Sequence, residues 1–216
     1  MSHGTFPVRS GAVLLAVAGL LLALSPLTRP WTDESTLEGA TGAMGSGAWV
    51  ASHVFAMLGL ILVVPGVVAV WVAMRRTRAE VPAAAAMVAM WFGVALTLPY
   101  YGAETFGLHA VAKVRADVLP EVVDAFRFDA VAITTFGFGL VALAVGGVLT
   151  AVALRRSGSL ARHAGVPLAI GYLLFLPQFL MPAPVRIGHG VLMGIGCGWI
   201  AQALWHAPRV DRSEQT

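Results

Sequence analysis

Two stretches of the chain place metal-ligand side chains at helical spacing inside apolar sequence. His53 is followed four residues later by Met57, and His189 by Met193 and then Cys197. Positions four apart share one face of a helix, so each stretch presents imidazole and thioether together. Thioether and thiolate suit Cu(I), and imidazole suits copper, iron and zinc. The second stretch, Arg186 to Trp199, also holds five glycines, a density that lets neighbouring helix backbones approach closely. The competing reading is packing: methionine fills cores, and a histidine between helices can simply hydrogen-bond.

Three chemistries follow. With His53 and His189 on opposite sides of a porphyrin and Arg186 meeting a propionate, the pair would hold haem b. In this ligand pattern alone the chain is similar in outline to the bis-histidine b-type cytochromes of membranes, though it lacks their paired ligands on each helix. With Met57 and Met193 as further ligands, copper becomes the better guest, used in redox or metal handling. Zinc is the third option: His53, His109 and His189 with Glu104 would supply the protein ligands and leave a position for water. A metal-free variant makes Glu104 the catalytic acid of an intramembrane enzyme acting on a lipid or isoprenoid, with Trp49, Phe55, Phe106, Phe136 and Phe175 as pocket walls. A structural role, as a partner subunit of a membrane complex, needs none of these residues.

The elements that must position these groups are membrane spans. Of 216 residues, 58% are hydrophobic and only 12% charged, against roughly 25% charged in soluble domains. The pattern predicts an all-α, six-helix transmembrane bundle in one domain, with spans at about 11–27, 48–74, 82–101, 129–154, 167–180 and 185–206. The first is expected to be an uncleaved helix rather than a signal peptide, because Pro26 follows the best small-residue cleavage position. Residues 29–47 read as an acidic loop. Pro99 should kink or end the third span. Between the third and fourth spans, Val111, Val114, Val118, Val122 and Phe126 recur among charges, predicting two short interfacial helices split at Pro120. Asp129 suits the start of the fourth span. Tyr100 and Tyr101 read as interface-belt residues. The matching strings VAMRR…VP…LPYY and VALRR…VP…LPQF suggest a duplicated hairpin.

Basic residues set the orientation. With the amino terminus inside, nine of the fourteen are cytoplasmic, namely Arg9, Arg75, Arg76, Arg78, Arg155, Arg156, Arg162, Arg209 and Arg212, and only three acids, Glu80, Asp211 and Glu214, join them. The expectation is a multi-pass plasma-membrane protein with both termini cytoplasmic. At 1.5 Å per residue, His53 lies roughly 33 Å from Arg75 and His189 roughly 30 Å from Arg209, so both sit at the outer edge of the hydrocarbon layer. Tyr100, Tyr101, Glu104, His109, Arg127, Gln178 and Arg186 share that outer half. Partners expected from this pattern are the lipid bilayer and a small hydrophobic or metal ligand. The arginines sit at helix ends rather than along one face, which argues against nucleic acid. His3, His163 and His206 carry no expected role. The single cysteine, Cys197, leaves no intramolecular disulfide.

Overall fold

The computed structural model describes residues 5–158 and 160–207. His3, Arg209, Asp211, Arg212 and Glu214 lie outside the described residues, so the depth of His189 is read from its neighbours instead. Among the described residues there is no strand. Nine α-helices form: α1 (Thr5–Thr28), α2 (Leu37–Met44), α3 (Gly47–Met74), α4 (Glu80–Gly102), α5 (Leu108–Val114), α6 (Leu119–Arg127), α7 (Ala130–Ser157), α8 (Val166–Leu173) and α9 (Ala183–Trp205). Five stretches are long and apolar enough to cross a membrane: Val8–Thr28, Gly47–Met74, Glu80–Val114, Ala130–Ser157 and Ala183–Trp205.

Local sequence sets most boundaries. Thr36, Ser46 and Asp129 cap α2, α3 and α7 with side-chain oxygens that accept from backbone N–H groups. Gly158, at φ +69°, ends α7 in the left-handed conformation that favours glycine. Pro177 has no N–H to donate, and its ring would meet the carbonyl of Leu173. The segment expected as a fifth span is accordingly an eight-residue helix, a turn over 174–176 and a 3-10 turn at Pro177–Leu180.

The long helices pack antiparallel through small residues. On α3, Gly66 faces Leu15 and Gly59 faces Leu22; on α7, Gly146 faces Met90 and Gly139 faces Thr97; on α9, Gly194 faces Gly19 and Gly190 faces Pro26. In lipid the helices gain little from hydrophobic burial against one another, so such close fits carry the association. These pairings gather Arg9, Arg75, Arg76, Arg78, Arg155 and Arg156 at one end of the bundle. Glu34, Glu104, Asp129 and Arg186 lie at the other, here called the acidic end. The 166–180 segment runs between the two ends: Gly165 packs on Ala151, Gly171 on Met193, and Gln178 bonds Arg186.

At the acidic end a second core sits on the bundle. Ala40, Ala43 and Met44 of α2, Trp49 of α3, Leu108 and Ala112 of α5, and Leu119 and Val123 of α6 are all buried together. Part of the stretch expected as loop is therefore the helix α2, which the short amphipathic pattern ATGAM did not announce. The break between the two short helices falls at Arg115 (φ −143°, ψ 60°), while Pro120 occupies the first turn of α6. Because the helix breaks there, the apolar repeat does not make one continuous face, and Val114 is 79% exposed.

Candidate functional site

Pro99 does not end the third span. The helix continues to Gly102, then widens into one π-helical stretch, Ala103–Gly107, before resuming as α5. Such π-turns re-aim side chains and are frequent at functional sites. Here the turn buries Glu104 and Thr105, and the Thr105 hydroxyl donates to the Tyr101 carbonyl.

Glu104 anchors a chain of ionic contacts. Arg127, at the end of α6, clasps it with Nε to Oε1 at 2.7 Å and Nη2 to Oε2 at 3.0 Å. The same Nη2 donates to Glu34 Oε2 at 3.1 Å, and Glu34 Oε1 is paired with Arg29 just past α1. Arg29 Nη1 then meets His53 Nε2 at 3.2 Å. Trp49 closes the circuit by donating Nε1–H to the Glu104 backbone carbonyl at 2.9 Å, while Arg29 lies over its ring. Four parts of the chain thus meet: the 29–36 loop that follows α1, α3, the π-turn and α6.

Arg186 stands beside this network on α9. Its Nε donates to Gln178 Oε1 at 3.1 Å, and its guanidinium lies over Trp31 at 5.0 Å and Phe179 at 5.4 Å. Arg29 approaches the same Trp31 ring at 5.5 Å. Among the described residues, Arg186 has no carboxylate within ion-pair distance. The cluster therefore holds three guanidiniums against two carboxylates.

Glu34 records the balance of forces. Burial favours its neutral form, but Arg29 and Arg127 outweigh burial and hold the carboxyl below its ordinary value of 4.5. Arg127, in turn, is penalised by burial and raised overall by Glu104 and Glu34. A carboxyl depressed on folding contributes stability above its unfolded value and loses it as pH falls through the folded one. Thermal midpoints should therefore hold steady down to about pH 4.5 and then fall, and Glu34→Gln should flatten that decline. A Glu34→Gln protein with the same acid limb as wild type would contradict this.

The three histidines named from sequence each bind a different backbone carbonyl. His53 is buried; its Nδ1 lies 2.8 Å from the Trp49 carbonyl, which can only accept, so Nδ1 carries the proton and the Nε2 lone pair faces Arg29. His109 Nδ1 donates to the Met44 carbonyl at 2.7 Å, tying α5 to α2. His189 Nε2 donates to the Gly171 carbonyl at 2.8 Å and its ring meets Phe175 edge-on. Met57 is half-buried one turn from His53; Met193 is buried against Gly171 of α8, and Cys197 against Gly19 of α1.

Between His53 and His189 runs a relay of rings: Tyr101, Phe136, Phe179 and Phe175, with successive centroids 5.3–6.2 Å apart. Tyr100 stacks on Phe136 at 4.2 Å and meets Phe126 at 4.7 Å, so it takes part in this aromatic packing. Asp129 acts as the cap of α7, accepting from Val131 and Ala132. Among the described residues no three His, Cys, Asp or Glu side chains are grouped to hold a metal ion. As arranged, His53 has both nitrogens engaged, Glu104 is clasped by Arg127, and His109 and His189 each bond a carbonyl of a different helix, so these side chains are not gathered around one centre.

The fold and site together describe an all-helical protein with five membrane-length apolar helices and a half-buried ionic cluster at one end. No protein-family model, no curated protein and no solved structure matches the chain.

Arg29 and Glu34 were missing from the candidate residues. Their signal was present: an arginine directly after a span, five residues before a carboxylate, in a loop read only for its acidity. Arg127 and Glu104 lie 23 residues apart across the broken segment, and only the fold-back through α5 and α6 brings them together.

Proposed function

We propose that the protein is a multi-pass plasma-membrane protein that binds the anionic head of an amphiphile at its acidic end, facing the exterior. This keeps the lipid-like substrate expected from sequence and moves the recognition from Glu104 alone to the arginines around it. The single observation carrying the reading is the surplus guanidinium: among the described residues, Arg186 is answered only by the Gln178 carbonyl oxygen and two aromatic faces. Arg186 and Arg29 flank one indole, Trp31, and an arginine fork suits phosphate or carboxylate oxygens. Leu176, Leu180 and Met181 beside it are exposed, offering apolar surface to a chain attached to that head. Glu34 and Glu104 hold Arg29 and Arg127 in place, which makes them positioning residues on this account.

Six crossings with both termini cytoplasmic fit the same reading. The 166–180 segment connects the two ends of the bundle, packed through Gly165 and Gly171 and bonded through Gln178 to Arg186, and the arginine-rich end follows the inside bias of basic residues.

The test is binding of dodecyl phosphate to detergent-purified protein. Arg186→Gln should weaken it about ten-fold, the scale of one charge-assisted hydrogen bond, while leaving the thermal midpoint near wild type because no carboxylate loses its partner. Unchanged affinity in Arg186→Gln would overturn the proposal. For the metal reading, haem b or copper would require Arg29 to withdraw from His53. An optical spectrum with elemental analysis of the same preparation tests that directly.

A further inference from the structure

The opposite end of the bundle carries its own cluster of guanidiniums. Arg78 lies in the turn between α3 and α4, and Arg155 and Arg156 lie in the last turn of α7; with Gly158 they line one shallow cleft of about 430 Å³. All three side chains are exposed, and none has a carboxylate within ion-pair distance among the described residues. The nearest acid in sequence, Glu80, is already used: its Oε2 accepts from the Arg76 backbone N–H at 2.7 Å, holding the turn in which Arg76 takes φ +63°. Among the described residues, no carboxylate pairs with the arginines of this cleft.

Three like charges brought together by two separate elements repel one another unless an anion sits among them. Guanidinium forks match the oxygens of a phosphate in pairs. The site's position narrows the source. The arginines end helices of membrane length, and Val81, three residues from Arg78, is 78% exposed. Farther along the same helices Val88 and Trp91 of α4 and Val148 of α7 are also exposed. An anion seated in the cleft thus has apolar helix surface next to it on the membrane side. Basic clusters bordering membrane spans attract anionic lipid heads.

We infer that the cleft between the α3–α4 turn and the end of α7 is a binding site for the phosphate of an anionic phospholipid, gripped by Arg78, Arg155 and Arg156. It is independent of the acidic-end site and uses none of its residues.

Native mass spectrometry of the full chain, delipidated and then titrated with phosphatidylglycerol, phosphatidylcholine or inorganic phosphate, tests the site. Wild type should retain one phosphatidylglycerol at least ten-fold more strongly than phosphatidylcholine, with inorganic phosphate a weak competitor. In an Arg186→Gln background, which weakens the acidic-end site, Arg78→Gln with Arg155→Gln and Arg156→Gln should abolish that preference, whereas Arg186→Gln alone should keep it. Should the triple variant fail to fold, the three Arg→Lys replacements keep the charge and lose the fork, and are expected to reduce the preference. Equal retention of the two lipids by wild type, or an undiminished preference in the Arg→Lys protein, would overturn the inference. Displacement by inorganic phosphate at the same concentration as the lipid would also overturn it, by showing a free-anion site.

Discussion

Replacing Arg127 by methionine is expected to destabilise the folded protein by about 3 kcal/mol, the low end for removing one partner of a buried ion pair, because Arg127 retains some exposure. Two carboxylates lose their guanidinium at once. Glu104, only 9% exposed at its side chain, is left with its charge facing protein, and Glu34 keeps only Arg29. The cost should be concentrated in the orphaned carboxylate rather than in lost packing. Removing the charge as well, in Arg127→Met with Glu104→Gln, should therefore recover most of the stability. Thermal unfolding in detergent of the two single variants and the double variant measures this. A double variant as unstable as the sum of the singles would show that the pair contributes independently and that burial of the charge is not the governing cost.

The second large effect belongs to the α1–α9 crossing. A methyl built on Gly19 would stand 2.8 Å from Cys197 Cβ and 2.9 Å from the Gly194 carbonyl oxygen. The obstruction is partly backbone, so side-chain rotation cannot relieve it and the helices must part. Gly19→Leu should cost about 3 kcal/mol, the upper range for overpacking, and should also loosen Cys197, which is fully buried. Gly198 provides the matched control one turn away on the partner helix: nothing lies within 4 Å of its added methyl. Gly198→Leu should be tolerated, and thiol labelling of Cys197 should accelerate in the first variant alone. Equal labelling in both would contradict the packing described.

The helical, apolar architecture was legible because membrane-length hydrophobic runs need no tertiary information. The positions of α3 and α7 followed from arginines at one end and, for α7, from Asp129 at the other. The 166–180 segment was legible as apolar but not as interrupted, because a proline such as Pro177 breaks some helices while Pro65 and Pro99 sit inside continuous ones. The two short helices α5 and α6 were legible from their apolar repeat, but α2 was hidden because it is short and draws its stability from a core around Trp49 shared with them, which pattern cannot show. For the candidate site, the sequence placed His53, Glu104 and Arg186 in the same outer half, and the structure brings the first two into one network. It could not show that His53 spends both nitrogens on Trp49 and Arg29, nor that Glu104 pairs with a residue 23 positions away. The histidine–methionine spacing was real as a helical face, but Met193 and Cys197 turn that face toward neighbouring helices.

These features converge on the guanidiniums of the acidic end, and equilibrium binding to the wild-type protein addresses them most directly. Dodecyl phosphate and an uncharged dodecyl analogue of matched chain length would be titrated into the purified protein at low and at high salt. The account predicts saturable binding of the phosphate that is at least about ten-fold tighter than that of the neutral analogue, corresponding to one charge-assisted contact, and weaker at high salt. Equal binding of both amphiphiles, insensitive to salt, would contradict it.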